Sequence, residues 1–347
     1  MGNRKTEGGR MTPWYSLLHL MVDGVCAFTM FGRFLTPQNQ AMDFLLYNFC
    51  AFALQMPFGV LLDCSVCKSK SAVSCFVAVL GVLCTLLGTI THPIVLGIGN
   101  ALFHIGSGVG TIYEDHARHW NGKGLGIFVA PGALGLYIGT LAAKNEIAAY
   151  QLWTVCILML VCCAAACKQV QHNQHDSITS VARPNRQICV RSLPLCCLLV
   201  VLLRSYLGMA VTFSWKTSVL GGLTAVLAVV LGKAAGGILA ARHGILRVSM
   251  ASLLMAAIAY LGAPMMPFGI AALFLFNMTM PITLYLMVCQ FPSMPGFCFG
   301  FLTFGLFLGF LPAFFGRFAI SDGRVTGCVG SILSLLILYA GIHPKPR

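Results

Sequence analysis

The sequence predicts an all-α integral membrane protein with about twelve transmembrane helices in two six-helix pseudo-repeats. Three observations predict it. Hydrophobic residues make up 58% of the 347 and charged residues only 9%, with a mean hydropathy of +0.85; a soluble domain carries about 25% charge to cover its surface. The apolar runs are continuous and about 20 residues long, the length a helix needs to cross the hydrocarbon core. They do not show the alternation of barrel strands, and lipid tolerates only helices or closed barrels because backbone groups there must bond internally. Finally, the longest polar stretch, residues 168–192, divides the runs six and six.

In chain order the predicted spans are 12–33, 40–63, 71–90, 93–113, 124–143, 147–167, 193–214, 217–241, 246–263, 266–289, 295–316 and 324–342. The tightest turns fall at Lys144, Pro264 and Pro292. This gives an N-terminal half (1–167), a polar, basic linker (168–192) and a C-terminal half (193–347). The first apolar run is too long for a leader's core and carries Asp23, so no cleavable signal is expected. The N-terminal MGNRKT fits a myristoylation pattern, but a chain held by many helices does not need that anchor. The N-x-T sequon at Asn277 lies inside a span, where it is not expected to be glycosylated.

Basic residues set the expected orientation. With the N-terminus in the cytoplasm, fifteen Lys and Arg fall on the cytoplasmic side and five on the other, as the positive-inside rule asks. An even number of spans returns Lys345 and Arg347 to the same side. The expected setting is the cell (inner or plasma) membrane, multi-pass, with both termini cytoplasmic. The net charge of +13 is then mostly topological. It points to membrane lipid as a partner and not to nucleic acid, for which there is no folded basic domain. A monomer is expected. The sixteen cysteines lie mostly in spans and read as packing residues. Cys64-x-x-Cys67 has redox spacing but lacks a second pair to close a zinc site, so neither a metal nor a cofactor is expected.

The halves share a weak repeat. Gly59-Val60-Leu61-Leu62-Asp63 closes the second span, and Gly237-Ile238-Leu239-Ala240-Ala241-Arg242-His243-Gly244 closes the eighth. Repeated halves joined by a loop are the architecture of secondary transporters, with the site at their interface near mid-bilayer. G-x-L-x-D at 59–63 followed by Lys68, and G-x-L-x-x-R-x-G through Gly237, Arg242 and Gly244, resemble the signature loops of the major facilitator superfamily. Cys64 stands where that signature usually has arginine, and Ala241 where the second copy has aspartate. Gly124-Leu125-Gly126 through Pro131-Gly132-x-x-Gly135 is similar to the glycine-proline motif of the antiporter branch's fifth helix. His19-x-x-x-Asp23, Asn100-x-x-Phe103-His104 and Arg204-Ser205 resemble the fosmidomycin-resistance type of exporter. The resemblance implies that helices 1, 4, 7 and 10 line a central cavity, and that the protein exports a small compound against protons.

The residues support a transport site independently. A charge near the middle of a spanning helix costs about 2.5–3.5 kcal/mol on insertion scales, so such residues are functional candidates. His19 and Asp23 are four apart and share a helix face, as do Asn100 and His104. Asp23, His19 and His104 are the proton-coupling candidates, since an acid is poised by burial and neighbours and imidazoles relay protons near neutrality. Arg204, Asn100, Asn277 and Lys233 are the substrate-binding candidates. Arg204 stays charged and suits either a clamp on an anion or a counter-charge to Asp23; Lys233 either joins this network or snorkels. The plainer alternatives are a structural Asp23–Arg204 ion pair and an interhelical hydrogen bond at His104. Gly59, Asp63, Lys68, Gly237, Arg242 and Gly244 are expected to shape conformational loops. Gly296, Gly300, Gly305 and Gly309 are expected to permit close helix packing.

Secondary active transport of a small, anionic or zwitterionic solute, coupled to protons, is the function this pattern supports. A membrane receptor or scaffold is one alternative, although the loops are too short for a binding domain. An intramembrane enzyme is another, but no G-x-S-x-G, H-E-x-x-H or paired catalytic carboxylates occur. A channel would need polar rings, whereas the polar groups cluster.

Overall fold

The structure, a computed structural model, describes residues 10–35, 39–67, 69–145, 149–172, 191–316 and 323–342. Among them every regular element is helical. The spanning helices are α1 (Thr12–Phe34), α2 (Gln40–Asp63), α3 (Lys70–Ile90), α4 (Pro93–Ala117), α5 (Lys123–Lys144), α6 (Leu152–Val170), α7 (Leu193–Ala210), α8 (Val219–His243), α9 (Ile245–Leu261), α10 (Met266–Gln290), α11 (Pro295–Phe314) and α12 (Gly323–Ile342). Eleven are long and apolar enough to cross a bilayer; α9, at 17 residues, is about 25 Å long and falls just short. The last turns of α6 run on to His172, and residues 173–190 of the linker lie outside the described residues.

Local chemistry sets the helix starts. Proline occupies a first-turn position of α1, α4, α7, α10 and α11, where its missing N–H costs nothing. Side-chain caps open α3 (Ser69 Oγ accepts from Ala72 N, 3.3 Å) and α8 (Ser218 Oγ from Gly221 N, 3.0 Å). Three helices break in mid-span, each near a proline. α2 breaks at Leu54, after a π-helical stretch Phe49–Ala53 and three residues before Pro57. In α5 the break is at Ala130–Pro131, and in α10 at Met278, three residues before Pro281.

The pairing of helices repeats with a period of six. α1 packs on α5 and α6, as α7 packs on α11 and α12. α3 packs on α4 and α6, as α9 packs on α10 and α12. α2 meets α4 as α8 meets α10. The weak sequence repeat therefore marks a real structural one.

The halves meet along α2–α11 and α5–α8. Both seams depend on glycine. A β-carbon on Gly59 would enter the backbone of Gly296, and one on Gly296 the backbone of Gly59. Gly126 and Gly237 stand in the same relation, with a Gly126 β-carbon 2.9 Å from the Gly237 Cα. The glycine edge of α11 continues the pattern: Gly300 faces the backbone of Gln55 and Met56, and Gly309 faces Leu202 O. The Gly59–Gly296, Gly300 and Gly126–Gly237 contacts lie toward the face that carries the α2–α3 and α4–α5 turns, hereafter the basic face, whereas Gly309 packs on α7 within the second half nearer the other face. Toward the other face the seam is aromatic. Phe44 and Phe49 of α2 meet Phe310 and Phe307 of α11 with ring centroids 5.8 and 5.7 Å apart.

Candidate functional site

The N-terminal half builds a buried polar cluster from two helix faces. His19 and Asp23 on α1 and Asn100 and His104 on α4 are each no more than 8% exposed. His19 Nε2 stands 3.2 Å from Asp23 Oδ2, and His104 Nε2 3.6 Å from Asp23 Oδ1. Asn100 Nδ2 donates to Asp23 Oδ1 at 3.1 Å. The two imidazoles meet edge to face, Nε2 to Nε2, at 2.9 Å. The i, i+4 spacing read from the sequence places these four residues as expected, and the fold joins the two pairs.

The other nitrogen of each ring is fixed by backbone. His19 Nδ1 lies 2.8 Å from Phe128 O, and His104 Nδ1 2.8 Å from Asn100 O. Pro131 explains the first of these. It has no N–H, so Ile127 O, four residues earlier, loses its intrahelical donor. The break in α5 turns this carbonyl and the next toward α1, where Ser16 Oγ donates to Ile127 O at 3.3 Å and His19 takes Phe128 O. Gly132 completes the site. A β-carbon there would collide with His19 Nε2 and stand 2.5 Å from Asp23 Oδ2.

A carbonyl oxygen only accepts, so Nδ1 of each ring carries the hydrogen. In two neutral rings both Nε2 atoms would then be bare acceptors, and two acceptors repel at 2.9 Å. The arrangement is satisfied when one proton lies between the rings, with the Asp23 carboxylate balancing its charge.

The C-terminal half presents the opposite charge. Arg204 on α7 is 7% exposed and borders a cavity of about 210 Å³, lined also by Leu207, Gly208, Phe213, Lys216, Tyr260 and Asn277. Lys233 on α8 is partly buried, within electrostatic range of Arg204, Asp23 and His104. Among the described residues neither Arg204 nor Lys233 has an ion-pair partner. Of the two roles the sequence left open for Arg204, a direct pair with Asp23 is not formed in this conformation. Asn277 sits at the break in α10, where Pro281 supplies no donor to its carbonyl; its Nδ2 turns back to Leu273 O at 2.8 Å.

The loop residues divide in two. Gly59 and Gly237 lie in the seams between halves. Asp63 reaches across the α2–α11 seam, its Oδ1 accepting from Gly296 N at 2.9 Å and its Oδ2 from Phe297 N at 2.7 Å. It thereby caps the N-terminus of α11, where a carboxylate is favoured by the helix dipole. Arg242 is exposed, and Gly244 ends α8 at φ +93°. Lys68 lies outside the described residues; Lys70 instead donates to Asp63 O at 3.2 Å and to Ser65 O.

Sequence reasoning missed two buried acids, Glu114 and Asp115, at the end of α4. Glu114 Oε2 accepts from Met11 N (3.0 Å), Thr12 N (2.7 Å) and Thr12 Oγ1 (2.7 Å), while Arg118 Nε donates to Oε1 at 2.9 Å. Asp115 accepts from Gly122 N (2.7 Å) and Gly124 N (2.6 Å). These acids cap the starts of α1 and α5. The described cysteines are all free, although Cys75 Sγ and Cys167 Sγ lie 3.4 Å apart.

No protein-family profile and no curated sequence matches the chain. Solved structures do. A major facilitator superfamily transporter, FucP, in its outward conformation is similar over 96% of this chain and 99% of its own, with TM-score 0.61 and 11% identity. The human organic anion transporter MFSD10 is similar over 96% and 99%, with TM-score 0.63 and 14% identity. A bacterial homologue of the iron transporter ferroportin, outward-facing, is similar over 96% and 99%, with TM-score 0.62 and 11% identity. Nearly end to end, the chain has the fold of the major facilitator transporters.

Proposed function

We propose that this chain is a secondary active transporter that moves a small anionic or zwitterionic solute by alternating access, in exchange for protons, in the direction of export. The observation that carries this reading is a pair of unlike charge stations: the buried Asp23–His19–His104 cluster in one half, and in the other Arg204, which borders a cavity, with Lys233, neither having an ion-pair partner among the described residues. A buried cation without a carboxylate invites an anion from outside the protein. Arg204 grips that anion with its planar fork, Lys233 adds charge, and Asn277 and Asn100 supply amide contacts. Asp23, with His19 and His104, holds the coupling proton. That one neighbour of the same fold is an organic anion transporter supports this substrate class.

The positive-inside bias puts the basic face in the cytoplasm, in a cell membrane. The conformation is then closed toward the cytoplasm by the Gly59–Gly296 and Gly126–Gly237 seams and by the Asp63 cap on α11. Release of that cap opens the cytoplasmic side. Both halves lie in one chain, so a monomer suffices, with membrane lipid around it and no cofactor required.

The test is a thermal-shift screen of small organic anions on the purified protein at two pH values, followed by transport of any hit in proteoliposomes with and without an imposed pH gradient. Anions that stabilise the protein, and accumulate only under the gradient, are expected. Stabilisation by no anion, or accumulation indifferent to the gradient, removes the reading.

A further inference from the structure

We propose that His19 Nε2, His104 Nε2 and a carboxylate oxygen of Asp23 form a binding site for one divalent first-row transition-metal ion of the zinc, cobalt or nickel kind. The three donor atoms lie within 4.8 Å of one another on buried residues. The nitrogens stand 2.9 Å apart, His19 Nε2 lies 3.2 Å from Asp23 Oδ2, and His104 Nε2 lies 3.6 Å from the other carboxylate oxygen, Oδ1. Ligands about 2.0–2.2 Å from a common ion stand about 2.9 Å apart at right angles and about 3.4 Å apart at the tetrahedral angle. The two nitrogens and the His19–Oδ2 pair fall on that range, and a small rotation of the Asp23 carboxylate or the His104 ring brings the third separation onto it.

The surroundings are those of a ligand set. Each ring donates its Nδ1–H to a backbone carbonyl, Phe128 O or Asn100 O, which fixes the tautomer that leaves Nε2 free for a metal. Asn100 Nδ2 holds the carboxylate at Oδ1. Gly132 lets the α5 backbone pack directly against His19 Nε2 and Asp23 Oδ2, where any β-carbon would collide, and so holds both donors in place. Two lone pairs at 2.9 Å require a cation between them, and an ion with two vacant sites answers that as well as a proton does. Imidazole donors suit zinc, cobalt and nickel, whereas magnesium and calcium take oxygen ligands. Three protein ligands leave positions for water, so the ion exchanges and is not sealed in.

This site shares residues with the proposed coupling centre, yet it requires only the geometry of the cluster. It is therefore tested by equilibrium binding, whatever the chain transports. The probe is Co²⁺, titrated by calorimetry into the detergent-purified full chain, with X-ray absorption to identify the first shell. The sixteen cysteines make the identity of the scatterers decisive. One equivalent of Co²⁺ with nitrogen and oxygen neighbours and imidazole scattering is expected. His19→Gln and His104→Gln should each weaken that binding about tenfold or more, in protein that still runs as a single species by size exclusion. His104→Cys should keep the ion and add one sulfur to its shell, a gain of signal that a misfolded variant does not give. No bound equivalent, or an ion held by sulfur alone and indifferent to both glutamine changes, overturns the proposal. Normal proton-driven transport alongside that failure would leave the transporter reading standing.

Discussion

The N-terminal half carries seven of the nine acidic residues, whereas residues 193–347 carry one, Asp322. The described acids of the first half that lie deep are each satisfied. Glu114 and Asp115 cap α1 and α5, Asp63 caps α11, and Asp23 faces two imidazoles and an amide. The second half buries Arg204 and brings Lys233 near it, and among its described residues no carboxylate pairs with either. A buried charge left unpaired costs several kcal/mol, so a half built this way is incomplete by itself. The contrast separates a preassembled half, whose polar groups answer one another, from a receptive half whose cations, on the proposed reading, await a solute. It also sorts the acids. Three lie at helix ends, where freed N–H groups repay a carboxylate; Asp23 alone lies in mid-helix.

The largest expected effect breaks the preassembled side. Asp23→Asn keeps shape and hydrogen bonding but removes the charge that balances the shared proton. Gradient-driven accumulation in proteoliposomes should be abolished, while solute exchange across the membrane persists. The variant should still insert and fold, because the amide is isosteric with the carboxylate and a mid-helix charge is removed. Continued accumulation in the Asn variant would move coupling to another group, with His104 or Lys233 next in line.

On the receptive side, Arg204→Lys retains the cation and loses the two-pronged donor. If the guanidinium grips a carboxylate or phosphonate, solute affinity should fall at least about tenfold, the scale of a lost charge-assisted hydrogen bond. Calorimetric titration of a screened anion reads this directly. Unchanged affinity would make Arg204 a long-range counter-charge and weaken the contrast between halves.

A third change acts on the seam. Asp63→Asn exchanges two charge-assisted bonds to Gly296 N and Phe297 N for at most one good acceptor. The loss, on the order of 1.5–3 kcal/mol, should raise alkylation of single cysteines placed at the basic-face mouth several-fold. If their labelling is unmoved, the cap shapes the loop without latching the state.

Most of the architecture was legible in the sequence, because lipid imposes one simple rule: a run of about 20 apolar residues is a helix. The predicted 40–63 and 266–289 spans match α2 and α10 within a residue at each end. The site was legible as two i, i+4 pairs, since helical periodicity brings 19 to 23 and 100 to 104. What fixes those side chains was not. Phe128 O and Asn100 O are backbone atoms without a residue-type signature. Pro131 and Gly132 were visible as a motif, but the carbonyls that Pro131 frees and the space that Gly132 leaves appear only once α5 is laid against α1. Glu114 and Asp115 gave no signal in the sequence, because their partners, Met11–Thr12 and Gly122–Gly124, are N–H groups of other helix starts. The two roles for Arg204 differed only in what it faces, which no spacing within α7 encodes.

The smallest expected effect compares one glycine from each half. Gly132 lies against His19 and Asp23, and an added β-carbon there has no room. Gly208 borders the cavity beside Arg204 and meets nothing within 4 Å. Alanine at 132 should therefore push the two side chains off their partners and impair coupling much as Asp23→Asn does. Alanine at 208 should fold normally and gain at most about 1 kcal/mol, the ordinary helix preference for alanine over glycine, read as a rise of a few degrees in Tm. Its methyl group enters the cavity that, on the proposed reading, receives the solute, so any loss should appear in affinity for larger anions and not in proton coupling. If Gly208→Ala disrupts coupling, or Gly132→Ala is silent, the halves are not divided into a preassembled proton station and an open solute station.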